Sequence, residues 1–416
     1  MTVSETHRAI EAVWRIEAAR LIAGLARLVQ DVGLAEELAQ DALVIALEKW
    51  SDASIPPNPG AWLMSTAKHR AIDQLRRNQR LERKQDELGR ELEHARPIEI
   101  DVDTGPGFGD DLLRLVFTAC HPVLSTEARV ALALRVLCGL TTKEIARAFL
   151  VPEATIAQRI VRAKKALASK KIPFEAPSGD ELAARLPSVL EVVYLVFNEG
   201  YAATSGDDWM RTGLCEDALR LGRIVAGLVP DEPEVHGLVA LLEIQASRAA
   251  ARVGPSGEPV LLLEQDRSRW DQLLIRRGLV ALARVEELGG EPGPYAVQAA
   301  IAACHARART PEETDWARIA ALYEVLADLL RSPVVELNRA VAVSMAFGPE
   351  HGLNLVDQLA AEPALQNYHL LPSVRGDLLA RLGRQAEARA EFGRAADLAT
   401  NSRERDLLRR RAGSGA

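Results

Sequence analysis

Cysteine is scarce in this chain, four in 416 residues, and the four are scattered at Cys120, Cys138, Cys215 and Cys304. None pairs with another at metal-ligand or redox spacing. Cys120-His121 and Cys304-His305 are adjacent pairs, but neighbours on a helix point apart, so no metal site is expected. Aromatics make up only 4% of the residues. Alternating Val/Ile/Thr runs of strand type are also rare, while Ala, Leu and Arg recur with helical spacing, so the expected fold is all-α. No apolar run reaches the length of a membrane span, and the N-terminal residues have no signal-peptide core. The sequence therefore predicts a soluble, cytoplasmic protein with no membrane association. Catalytic signatures are missing too: there is no P-loop, Gly-x-Ser-x-Gly, His-Glu-x-x-His or dinucleotide fingerprint. The eight histidines are dispersed, and Asp207-Asp208 sits where a turn would use it. No catalytic residue and no cofactor is expected.

Lysine is absent from the second half. All eight lysines lie at or before Lys171. Residues 1–173 carry 25 Lys+Arg against 23 Asp+Glu, whereas the remainder carries 26 against 35. The formal charge of −7 thus conceals a balance of +2 followed by one of −9. The change coincides with the Pro/Gly-marked stretch at 173–179, which reads as a linker. An acidic half is a poor nucleic-acid binder, so any such contact belongs to the first part.

There the most informative stretch is Thr141 to Leu167. Thr141 or Thr142 suits the cap of a short helix with Glu144 in its opening turn. Pro152 ends that helix and suits the start of the next. Ile156, Ile160, Ala163 and Leu167 fall on one face of the second helix. Thr155, Gln158, Arg159, Arg162 and Lys165 fall on the other, offering donors for base edges and phosphates. From Lys143 to Lys171 there are eight basic side chains and two acidic ones, the field a polyanion requires.

Two earlier helices bear equally distinct faces. Ala35–Trp50 is apolar along Leu38, Ala42, Ile45 and Ala46, with Glu37, Gln40, Asp41, Val44 and Glu48 on a separate arc. That arc suits either a solvated face or a docking surface for a basic partner helix. After a loop at 51–60 comes Ala61–Arg77, with an expected buried stripe of Met64, Ala67, Ala71 and Leu75. Trp62, Thr66, His69, Asp73, Arg76 and Arg77 gather opposite it, a mixture that suits unstacked bases and phosphates. The alternative is an ordinary amphipathic helix with Trp62 packed into the core.

The segments Ala35-Glu36-Glu37-Leu38-Ala39-Gln40-Asp41, Pro59-Gly60-Ala61-Trp62-Leu63 with Ala71-Ile72-Asp73-Gln74-Leu75-Arg76-Arg77, and Thr155-Ile156-Ala157-Gln158-Arg159-Ile160-Val161-Arg162-Ala163-Lys164 occur in this order. Together they resemble the bacterial extracytoplasmic-function sigma factors. The resemblance implies a promoter-specificity factor that binds core RNA polymerase and initiates transcription on promoter DNA. It implies that Glu37, Gln40, Asp41, Val44 and Glu48 grip the clamp helices of the polymerase β′ subunit, with the β subunit as a further partner. Trp62, Thr66, His69, Asp73, Arg76 and Arg77 would open and read the −10 element. Thr155, Gln158, Arg159, Arg162 and Lys165 would read the −35 element. His69 departs from the family, which usually has Asn there, and this leaves the −10 preference open.

The implied layout is sigma region 2 over 1–80, an acidic linker over 81–109, sigma region 4 over 110–172, a short linker over 173–179 and a helical extension over 180–416. The acidic linker suits plain tethering, or, by resemblance, threading the polymerase cleft in imitation of RNA. Cys120-His121-Pro122 is expected to close a bracing helix by packing. In the extension, Leu337–Ala342 with Gly352-Leu353 and Leu359-Ala360, then Val374–Leu379 with Leu382-Gly383-Arg384, Phe392 and Ala395, echo each other at about the tetratricopeptide period. The extension therefore resembles the large tetratricopeptide-like domain of a subgroup of these factors. Such a domain would regulate activity and leave a repeat surface for a regulatory protein. Two other classes compete with this reading. One is a helix-turn-helix regulator with a helical-repeat sensor, which would not need the acid-faced or Trp62 helices. The other is an enzyme housed in the C-terminal half.

Overall fold

The computed structural model describes residues 3–50, 55–87, 108–149, 151–202, 210–255 and 258–413. Among them there is no strand, and Val253 and Pro259 form an isolated antiparallel bridge, so the all-α expectation holds. Two compact units divide the chain at Val192 and Val193.

The first unit opens with α1 (Val3–Val29), α2 (Val32–Lys49) and α3 (Pro59–Glu87). Asp31 starts α2 by accepting from the Leu34 amide at 2.9 Å, satisfying one of the donors a helix start leaves open. Leu21, Ile22, Leu25, Leu38, Ala42, Leu63, Ala67 and Ala71 form the shared core. On α3, Ala67 and Ala71 of the expected stripe are buried and Leu75 is half-buried, but at its start Leu63 is buried while Met64 is half-buried. Met64 packs against α1 at Gly24, where a Cβ would stand 3.0 Å from the Met64 Cε. Met64 lies over the α1 backbone at that bare position. Helix α3 runs to Glu87, so the first residues of the stretch taken as linker are helical; the acidic run from 88 to 107 lies outside the described residues.

Then follow α4 (Phe108–Ala119), α5 (Thr126–Val136), α6 (Thr142–Ala148), α7 (Glu153–Ser169) and α8 (Asp180–Tyr201). Cys120 is wholly buried, and burial pushes its thiol up to about 12, so it is an inert packing group. The first part of α8 belongs to this unit. Leu186, Val189 and Leu190 are buried, Arg185 donates to the Phe117 carbonyl at 2.8 Å, and Arg129 reaches Ser188 Oγ at 2.6 Å and Glu191 at 3.0 Å. The compositional break at 173–179 marks a turn in the chain, and the compact units part further on, inside α8. Apolar packing sets that limit, because cutting at the Pro/Gly stretch would uncover the α4–α5 surface.

The second unit continues through α9 (Thr212–Leu228), α10 (Pro233–Ala246), α11 (Gln272–Leu288), α12 (Pro294–Arg307) and α13 (Trp316–Leu330). It closes with α14 (Pro333–Phe347), α15 (Pro349–Leu359), α16 (Leu370–Arg381), α17 (Gln385–Leu398) and α18 (Ser402–Gly413). Its core passes along the helices in successive clusters. Leu241, Ile244 and Leu282 lie in one, Ile301, Ile319 and Leu326 in the next, and Leu353, Leu378, Leu379 and Phe392 in the last. Helix pairs meet closely at glycines: a Cβ on Gly352 would lie 2.4 Å from the Ser344 Cβ, and one on Gly376 would lie 2.9 Å from the Phe392 ring. The Gly206-Asp207-Asp208-Trp209 stretch, a candidate elbow, lies outside the described residues.

Candidate nucleic-acid interface

Helix α6 begins with a reciprocal cap. The Glu144 amide donates to Thr141 Oγ1 at 3.1 Å, and the Thr141 amide donates to Glu144 Oε2 at 2.7 Å. Burial opposes ionisation of Glu144, but the Thr141 donors and Arg15 outweigh it and hold the carboxyl below its usual range. After the break at Pro152, α7 buries Ile156, Ile160, Ala163 and Leu167, the stripe its periodicity requires. This anchoring turns the opposite face outward. Gln158, Arg162 and Lys165 are exposed, and Thr155 and Arg159 are half-buried. The Glu127 carboxyl is held low first by its own backbone amide and Ser125, and only then by the charges of Arg159 and Arg129. Val161 is 62% exposed beside this arc, an apolar group that sequence reasoning passed over. An aliphatic residue three positions beyond Gln158 was the available signal.

On α3 the expected face separates into two parts. His69, Asp73, Arg76 and Arg77 are exposed. His69 Nδ1 lies 2.8 Å from the Ser65 carbonyl, which only accepts, so Nδ1 carries a proton and neutral His69 presents Nε2 as an acceptor. Thr66 is half-buried, and so is Trp62, whose ring packs edge-on against buried Trp50 with centroids 5.1 Å apart. Trp62 therefore combines a packing role with partial exposure.

On α2, Glu37, Asp41, Val44 and Glu48 are exposed and Gln40 is half-buried. Asp41 pairs with Arg70 of α3 at 2.5 Å in a solvated pair worth little stability.

The residue that sequence reading missed on α2 is Glu36, only 3% exposed. It receives Arg135 Nε of α5 at 2.8 Å and also pairs with Lys164 of α7. A carboxylate on the apolar stripe of Val32 and Ala39 was the clue to a charged partner from elsewhere in the chain. The same unit holds further ties to α1: Trp14 Nε1 donates to the Gly139 carbonyl at 3.1 Å, Arg15 pairs with Glu144 at 2.7 Å and Arg27 with Asp111 at 3.3 Å. Gly139 has φ +71°, and a Cβ there would stand 3.3 Å from Trp14 Nε1. The helix-turn-helix is thus fastened to the α1–α3 bundle through a buried ionic cluster.

Among the described residues there is no cluster of His, Cys, Asp or Glu able to hold a metal, and no helix long and apolar enough to cross a membrane.

The sigma-70 region 2 model matches residues 16–81 and the sigma-70 region 4 model residues 114–167. A third match, to a family of unknown function (DUF6596), covers residues 185–286. An uncharacterized protein of Rhizobium meliloti (strain 1021) is 44% identical over 386 residues, 92% of this chain and 90% of its own length. The ECF RNA polymerase sigma factor SigC of Mycobacterium tuberculosis (strain CDC 1551 / Oshkosh) is 29% identical over 161 residues, 39% of this chain and 78% of its own. The probable RNA polymerase sigma-C factor of Mycobacterium bovis (strain ATCC BAA-935 / AF2122/97) matches to the same extent. Sigma regions 2 and 4 in this order define a transcription-initiation factor, a non-enzymatic class whose partners are core RNA polymerase and promoter DNA. Sigma-70 regions 2 and 4, together with the likeness to SigC, support a sigma factor of the extracytoplasmic-function type, with a large helical region following region 4.

Proposed function

We propose that this sigma factor reads the −35 element with α7 and the −10 element with α3, and docks on the polymerase clamp through α2. The carrying observation is the polarity of α7: its buried stripe fixes Gln158, Arg159, Arg162 and Lys165 on the open side. Amide and guanidinium groups there suit adenine and guanine edges, the lysine suits phosphate, and Val161 suits a thymine methyl. Exposed His69, Asp73, Arg76 and Arg77 supply donors and acceptors for separated strands. The closed arrangement around Glu36 must open for this work. Elements named −10 and −35 lie about 25 base pairs apart, or ~85 Å at ~3.4 Å per pair. A compact unit of this length spans only about 40 Å.

For polymerase docking, the double reversal Glu37→Arg/Asp41→Arg is expected to weaken core binding about tenfold or more, through charge repulsion with a basic clamp helix. Circular dichroism should show unchanged helix content. Wild-type dependence of transcription on sigma concentration in this variant would place docking elsewhere.

The helical extension is the regulator in cis and offers a tetratricopeptide-like surface to a partner protein. Two observations support this. Gly376 and Leu379 precede Ala388 and Phe392 at the repeat's spacing, with Gly376 seated against the Phe392 ring. The chain also passes into the second unit within α8, so every sigma part carries its regulator in fixed ratio. A chain ended after Tyr201 keeps Arg185, Ser188 and Glu191 on the first unit. In reconstituted transcription it should differ from the full chain in output or in sigma dependence; identical curves would refute regulation in cis.

A further inference from the structure

In the second unit, three arginines converge on two aromatic rings. Arg252 lies 3.7 Å from the Tyr201 ring centroid and donates to the Tyr201 carbonyl at 3.1 Å. Arg248 stands 5.8 Å from the Tyr201 ring and 5.9 Å from the Trp270 ring. Arg267 lies 5.0 Å from the Trp270 ring and donates to the carbonyls of His305 and Ala308 at 2.8 and 2.7 Å and to Thr314 Oγ1 at 3.1 Å. Elsewhere in this unit buried or half-buried arginines meet carboxylates: Arg211 meets Glu199, Arg223 meets Glu243 at 2.7 Å, and Arg375 meets Glu391 at 2.9 Å.

Arg248 breaks that pattern. It is 9% exposed, and among the described residues its side chain makes no hydrogen bond and no ion pair. Its Nε, the Nε of Arg267, the Trp270 indole nitrogen and His305 Nδ1 are all buried without a protein partner. Burial, then the charges of Arg248 and Arg267, push His305 down to about 3, so it adds no cation and serves as a neutral polar group. Stacking on aromatic faces returns part of the cost of burying a guanidinium. It does not cancel desolvation or the mutual repulsion of like charges. An oxyanion supplies what is missing, because the guanidinium fork matches carboxylate and phosphate oxygens.

We propose that Arg248, Arg267 and Trp270 form a buried binding site for a small oxyanion, a phosphate or a carboxylate, within the C-terminal helical unit. Depth favours a small molecule over the surface of a macromolecule. The site does not depend on how the sigma part reads DNA.

The test titrates the full chain with inorganic phosphate and, separately, with succinate, in chloride buffer at constant ionic strength, by calorimetry and thermal unfolding. At least one probe should bind saturably, and should raise the unfolding temperature by about 5 °C at a hundred times its Kd. Which probe does so assigns the anion class. Arg248→Met keeps most of the stem without the charge and should weaken binding at least tenfold. Should that variant fail to fold, Arg267→Gln is titrated in its place with the same expectation. Absence of saturable binding of both probes to the wild type, or wild-type binding in the folded variant, would overturn the site.

Discussion

Replacing Glu36 by alanine is expected to destabilise the first unit by about 3 kcal/mol, the usual cost of removing one member of a buried charge cluster. Glu36 is 3% exposed and serves two cations, Arg135 and Lys164, whose side chains are themselves largely covered. Removing it deletes both pairs and leaves two sparsely solvated charges facing each other. Hydrogen exchange should locate the loss, with protection falling first in α5 and α7, which this carboxylate ties to α2. Lys164→Met separates two effects. It leaves the Glu36–Arg135 pair in place, so the bundle should remain folded while α7 is released more readily. If Glu36→Ala changes stability by less than about 1 kcal/mol, the cluster is not the fastening.

The second large effect is on promoter affinity. Arg159→Ala is expected to cost roughly 1–3 kcal/mol if its guanidinium makes a bidentate base contact, about ten- to a hundredfold in binding. Arg159 is half-buried, so part of its side-chain freedom is already lost before DNA arrives, which favours a base contact over a loose phosphate contact. Lys165, fully on the open side, should behave differently. Its loss should weaken all sequences alike and lower the salt dependence by about one charge. Measurement on promoters altered one base pair at a time distinguishes the two. Unchanged binding across alanine variants of Thr155, Gln158, Arg159, Arg162 and Lys165 would remove α7 from the interface.

These predictions rest on features that were unequally legible in the sequence. Ile156, Ile160, Ala163 and Leu167 were readable because a helix repeats every 3.6 residues, and one stripe decides which face remains open. The Thr141–Glu144 cap was readable for the same local reason. Features that depend on a distant partner were not. That Leu63 is buried while Met64 is half-buried depends on packing against other helices. Trp62 was ambiguous until Trp50 was placed against it. Glu36 looked like one acid in an acidic run until Arg135 and Lys164 reached it from later helices. The Pro/Gly stretch at 173–179 drew attention as a boundary, but packing of Leu186, Val189 and Leu190 carries the first unit into α8. The Arg248 site joins residues from Tyr201 to Thr314, with no spacing that would reveal them.

The most direct measurement is selection of promoter DNA from a random library by the full chain with core polymerase, repeated with each partner alone. The account predicts two enriched boxes at a fixed separation, obtained only with both proteins. Substituting Gln158 or Arg159 should change the upstream box, and substituting His69 or Arg76 the downstream one. A single box selected equally well without core polymerase would contradict the account.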